Sequence, residues 1–367
     1  MVERLLGRRR AEAPDPIDPP ADFYSPRELT YVTPVGRRLS DYEASICQNQ
    51  PDFGQYDSGG WYLLSPEGRA LFDEGTTALR HPNWFDYRDP STLWQRTYVR
   101  QQAEQERAIA AALETARMDD AFADVDSAWA CDILARYYEA WGCAEWGLFL
   151  AYTYPVREAL SDTLTMAFVF AAVDHLRHQQ AIGLYSLDLE DEVLGYRSGL
   201  GPDTWISDAA LQPSRRVVEG LMATDDWGEM VIVTALLFEP LLSAFVTSQF
   251  LRRHAALNGD ILTPAIILTA ERDRARNRAA TVALVELLLG PSDRKGRPVP
   301  AGHNRDVLQD WIDHWAPLVL EAVDAFVPVF DLPPARGPSA AAARERVVAG
   351  CHDLLCDAGL ELPGAAS

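Results

Sequence analysis

Two histidines three residues apart, His175 and His178, sit in the long apolar run around Ala171-Ala-Val-Asp-His-Leu-Arg-His178. On a helix that spacing puts both imidazoles on one face, and imidazole is the commonest side-chain metal ligand. Leu164, Phe168, Ala171 and Ile182 share the face, so it is expected to point inward. Three glutamates stand in similar apolar settings. Glu145 lies in Trp141-Gly-Cys-Ala-Glu-Trp-Gly-Leu-Phe-Leu150, Glu239 in Ala235-Leu-Leu-Phe-Glu-Pro-Leu-Leu242, and Glu271 in Ile267-Leu-Thr-Ala-Glu-Arg-Asp-Arg274. A bare carboxylate in such a place is costly unless it meets a cation. The cation is either a bound metal or the guanidinium of Arg274, one turn from Glu271.

These groups fall within successive helical segments. Helical periodicity covers residues 93–118, then a stretch capped by Asp124 or Asp126 that runs to 154, with Pro155 ending or kinking it. Further helices are read at 157–187, 214–223 and 228–257, the last capped by Asp226 and ended by Asn258-Gly-Asp260. Others cover 264–289, 305–328 and 340–359. Breaks lie at 195–208 and 290–300. No alternating strand pattern or internal repeat occurs, so the chain reads as an all-α protein. Several helices are long and apolar on more than one face, which calls for a bundle. Three regions are expected: an extended N-terminal arm (1–90), the bundle (91–330) and a C-terminal helical extension (331–367). Prolines crowd residues 14–20 of the arm. Its aromatics Phe23, Tyr24, Tyr31, Trp61, Tyr62, Trp84, Phe85 and Tyr87 follow no helical period, so they must insert into some other surface, either the chain's own body or a partner.

The chain has 367 residues, 48% hydrophobic, with a net charge of −21. So acidic a protein repels phosphate backbones and anionic lipid, which argues against nucleic acid and membrane partners. The five cysteines have no disulfide or zinc-finger spacing, so reduced thiols in a cytoplasm are expected. Arg8-Arg9-Arg10 is followed by no apolar run and reads as no export signal. The stretch 230–251 is apolar enough for a membrane, but Glu239 at its centre would cost roughly 2.5–3.5 kcal/mol there. A buried soluble helix explains it better.

Two helices that each give a Glu, and two that each give Glu-x-x-His, form the ground plan of ferritin-like di-iron carboxylate bundles. The order of groups here follows that plan, but the ligands depart from it. His175-Leu-Arg-His178 has an imidazole where a bridging carboxylate belongs. Glu271-Arg-Asp-Arg274 has a cation where an imidazole belongs; a shifted register puts Arg274 and Asn277 there instead. A guanidinium has no lone pair to give a metal. A hydrogen-bonded polar core without metal is the favoured reading. The alternative is a self-sufficient metal-binding bundle with a single site from Glu145, His175, His178 and Glu239.

Five stretches carry a closer likeness: Trp94-Gln-Arg-Thr-Tyr-Val-Arg-Gln-Gln-Ala-Glu-Gln-Glu106, Asp174-His-Leu-Arg-His178, Thr224-Asp-Asp-Trp-Gly-Glu229, Asn258-Gly-Asp-Ile-Leu-Thr-Pro264 and Leu308-Gln-Asp-Trp-Ile-Asp-His-Trp-Ala-Pro317. Through them the chain resembles the small, β, subunit of the hydroxylase of bacterial multicomponent di-iron monooxygenases. The resemblance implies a non-catalytic scaffold with no cofactor of its own; the di-iron centre belongs to the partner α (large) subunit. It implies assembly with α, a second αβ unit and a γ subunit. It also implies transient contact with an effector protein and an NADH-dependent reductase, and oxidation of a small alkene, alkane or aromatic. By resemblance, Glu145 matches the first ligand position and His178 the histidine of the first Glu-x-x-His, while His175 departs from its glutamate. Glu239 falls at or beside the third position, and Glu271 or Arg274 at the fourth; none is expected to bind metal. The resemblance also directs the aromatic arm toward a neighbouring subunit.

Overall fold

The structure, a computed structural model, describes residues 34–47 and 73–364. Among them the fold is helical, and the sole β-type pairing is one isolated bridge, Ser292 to Pro298. A short helix α1 (Asp41–Cys47) precedes α2 (Gln95–Met118). A π-helical stretch, Trp129–Tyr138, runs straight into α3 (Glu139–Glu158). There follow α4 (Asp162–Glu192), α5 (Gly201–Ser207) and α6 (Gln212–Ala223). The apolar rod α7 (Trp227–Asn258) contains a second π-helical stretch, Thr234–Leu251. α8 (Leu262–Leu289), α9 (Ala301–Phe326) and α10 (Ala340–Asp357) complete the chain.

The bundle closes as a ring. α3 packs on α4, α4 on α8, α8 on α7, and α7 back on α3. α2 lies on α8, and α9 and α10 cover α7. This explains the apolar rod: it passes the length and composition test for a membrane span, yet 89% of its most apolar window is buried inside the protein. Surrounded on all sides, it needs no polar face. Pro240 within it has no N–H to give the Leu236 carbonyl one turn back. The Cys351 thiol from α10 donates to that carbonyl at 3.4 Å.

The caps follow the sequence reading. Asp126 Oδ1 accepts from the N–H groups of Ala128 and Trp129, and Asp226 Oδ1 from those of Gly228 and Glu229. Asp226 Oδ2 also takes the Ala78 N–H at 2.6 Å. Two local expectations need correction. Pro155 sits inside α3, which ends at Glu158 and turns through Ala159–Ser161 into α4. The break at 195–208 contains the short helix α5.

Of the two surfaces open to the arm's aromatics, its described part takes the chain's own body, not the neighbouring subunit toward which the resemblance pointed. Trp84, Phe85 and Tyr87 do not await a neighbour; they are buried on the chain's own body. Trp84 meets Trp227 edge-on with ring centroids 5.5 Å apart. Tyr87 donates its hydroxyl to the Ala280 carbonyl at 2.9 Å. The arm's other aromatics, Phe23, Tyr24, Tyr31, Trp61 and Tyr62, lie outside the described residues.

Candidate functional site: a charged core inside the bundle

α3, α4, α7 and α8 each aim one or two polar groups into the ring they enclose. Glu145, His175, His178, Glu239 and Arg274 are all buried, none more than 6% exposed. The structure therefore brings together five of the six residues singled out from sequence. The sixth, Glu271, turns away and pairs with Arg252 of α7 at 3.1 Å, at the margin of the core. Arg274 is the α8 group that enters the site.

Glu145 is the hub. Its Oε2 lies 2.7 Å from His175 Nδ1 and 3.5 Å from His178 Nδ1. Its Oε1 accepts from Trp141 Nε1 at 3.0 Å and from the Arg274 guanidinium. Arg274 also donates to Thr247 Oγ1 at 3.3 Å. The far nitrogen of His175 stands 3.6 Å from Glu239 Oε1. Burial alone would raise the Glu145 carboxyl, but Arg274 and the two imidazoles outweigh it and hold the group well below the usual carboxylate range. Glu239 goes the other way. Burial raises it, and the opposing pull of His175 and Arg274 does not compensate.

A second layer, which sequence reasoning missed, backs this hub. Asp273 of α8 accepts from His178 Nε2 at 3.3 Å, Gln102 at 2.9 Å, Gln105 at 3.3 Å, Arg177 at 3.1 Å and Arg276 at 3.2 Å. Burial opposes its ionisation, but His178 and Arg276 hold its carboxyl low. Burial would lower the His178 imidazole; its hydrogen bond to Asp273 and the nearby Glu145 carboxylate, 3.5 Å from Nδ1, raise it instead. Asp174 accepts from Tyr98 at 2.8 Å, Gln102 at 3.1 Å, Asn277 at 2.9 Å and the Arg276 guanidinium. The signal was present in α2. Tyr98, Gln102 and Gln105 recur at helical spacing and are buried on a helix that is otherwise largely exposed.

One donor from each of Glu145, His175 and His178 falls within 4.8 Å of the others, close enough to share an ion. A dinuclear iron centre is another matter. It needs carboxylates from all four helices and two imidazoles in place. Here two carboxylates face the core, and a permanently charged guanidinium holds Glu145 Oε1 and occupies the place of the metal's positive charge. The residues present do not fit such a centre. A wider groove of about 490 Å³ lies outside the core, between α3, α4 and α5, lined by Trp146, Leu187 and Pro202. It contains none of these charged groups except Glu139, whose carboxylate is taken by Tyr196 and the N–H groups of Gly199 and Gly201.

The family model for methane, phenol and alkene hydroxylases matches residues 61–291. The chain is 28% identical over 338 residues to the small subunit of the propane 2-monooxygenase hydroxylase of Rhodococcus jostii, covering 92% of this chain and 90% of that protein. It is 28% identical over 369 residues to the methane monooxygenase component A β chain of Methylococcus capsulatus, covering 96% and 92%. The crystal structure of the phenol hydroxylase from Pseudomonas sp. OX1 superposes with a TM-score of 0.73 at 18% identity, covering 93% of this chain and 98% of that one. That likeness bears on fold alone, and it makes the bundle ferritin-like, as expected.

Proposed function

The chain belongs to the methane/phenol/alkene hydroxylase family, and from that premise we propose that it is the small, β, subunit of a multicomponent monooxygenase hydroxylase. It is a non-catalytic component of an oxidoreductase that inserts one oxygen atom of O₂ into a small hydrocarbon. Both curated relatives above are themselves small or β chains, matched over nine-tenths of their length. The α subunit is the partner that supplies the di-iron centre. The assembly is completed by a second αβ unit and a γ subunit, with an effector protein and an NADH-dependent reductase acting on it in the cytoplasm.

The observation that carries the non-catalytic role is Arg274. Its guanidinium bonds Glu145 at the heart of the ring, supplying the positive charge that an iron pair would otherwise bring. The same contact weighs against a self-sufficient metalloprotein built on Glu145, His175, His178 and Glu239. The test is to purify the full chain alone and with the α subunit encoded beside it, and to assay iron and hydrocarbon oxidation. Iron and turnover are expected only in the joint preparation. Stoichiometric iron on the folded chain by itself would overturn the assignment.

A further inference from the structure

Three features of the core go beyond that role. First, Glu145, His175 and His178 already converge, with Glu145 Oε2 2.7 and 3.5 Å from the two Nδ1 atoms. Tetrahedral zinc, with bonds of about 2.0–2.1 Å to nitrogen and oxygen, spaces its ligand atoms roughly 3.3–3.5 Å apart; the Glu145–His178 pair already has that spacing, and the Glu145–His175 pair has to open by about 0.7 Å. Second, donor capacity goes unused: Glu239 Oε2 and His178 Nδ1 have no hydrogen-bond partner although both residues are more than nine-tenths buried. Buried polar atoms are rarely left so. Third, a void of about 20 Å³, room for about one water, adjoins Glu145, His178 and Arg274.

We propose that this core is a latent mononuclear site for a divalent cation of the zinc type, and that Arg274 is the built-in cation that keeps it shut. Glu145, His175 and His178 are the three donors, Glu239 stands behind them, and the void takes the open coordination position. Zinc-type ions suit the site because they accept mixed imidazole and carboxylate donors in fours and need no bridging carboxylate. Arg274 excludes them by charge and by holding Glu145. The inference concerns the isolated chain and does not depend on which complex the protein joins.

The experiment compares the full, untagged chain with Arg274→Ala and Arg274→Met. Co²⁺ is titrated and read by its visible d–d absorption, and thermal unfolding is recorded with and without Zn²⁺. Arg274→Ala is expected to take up one Co²⁺ with at least ~100-fold higher affinity than the wild type and to unfold at a higher temperature with Zn²⁺. Neither effect is expected in the wild type. Adding His178→Ala to the Arg274→Ala chain should abolish uptake, which separates the core from the exposed His352–Cys356 pair on α10, 3.6 Å apart. Where Arg274→Ala folds poorly, Arg274→Met, which keeps most of the apolar stem, is read instead, with refolding in Zn²⁺. Three results would each overturn the proposal: stoichiometric binding by the wild type, uptake by the folded variant no better than the wild type or indifferent to His178→Ala, or failure of both variants to fold with Zn²⁺ present.

Discussion

The Glu145–Arg274 contact sets the energetics of the core. An ion pair out of water gains little over an apolar pair of the same shape, but removing one partner strands a charge, which costs about 3–5 kcal/mol. Arg274→Met, with no metal added, is expected to destabilise the chain by that amount, and Glu145→Gln by a similar one. The double variant Glu145→Gln/Arg274→Met should lose clearly less than the sum. A double-mutant cycle in denaturant gives the coupling; strict additivity would mean that the two groups do not depend on each other. Sequence pattern alone went far here. Five of six singled-out residues share the core because each stands among apolar neighbours at inward helical positions. Asp174 and Asp273 were passed over because each is next to an obvious candidate in sequence, and one helical step turns a side chain by about 100°. Their partners on α2 lie some 70 to 170 residues away.

Helix ends were legible at the caps Asp126, Asp226 and Asn258-Gly259-Asp260, but not at Ser161, whose cap starts α4 at Asp162 rather than at the expected 157. They were less so where tertiary packing decides, as at Pro155 or in the two π-helical stretches. The Asn258-Gly259-Asp260 turn does more than stop α7. Asp260 caps α8 through the N–H groups of Leu262 and Thr263 and also binds Tyr185 of α4 and Trp129. Asn258 exchanges hydrogen bonds with Ala335 of the C-terminal segment. Gly259 between them has φ +75°, and an added Cβ would fall 1.9 Å from the Asp124 carbonyl oxygen. That oxygen is backbone and cannot swing aside. Gly259→Ala therefore combines left-handed strain with a clash and is expected to cost at least ~2 kcal/mol of unfolding free energy. A loss under 0.5 kcal/mol in chemical denaturation would refute this account of the turn.

At the scale of the whole molecule, the stretch from Asp73 to Pro90 straps three helices together. Asp226 at the start of α7 holds Ala78, Asn304 of α9 exchanges hydrogen bonds with Arg80, and Trp84 and Tyr87 seat on α7 and α8. The sequence showed aromatics in need of cover but not which surface provides it, because non-local contacts leave no local periodicity. Trp84→Ala discriminates. With the ring buried on Trp227, the isolated chain should lose about 3–5 kcal/mol. An arm made only to grip a neighbouring subunit would leave its unfolding midpoint unchanged.

The apolar rod α7 has a bearing on biosynthesis. Its covers, α9 and α10, come later in the chain, and about 100 residues separate Asn258 from the end of α10. At roughly 5–20 residues per second of translation, that is some 5–20 s during which the greasiest stretch of the polypeptide leaves the ribosome without its blanket. Hosts rich in nascent-chain chaperones, and slow growth at low temperature, should therefore decide how much of this protein is recovered in the supernatant.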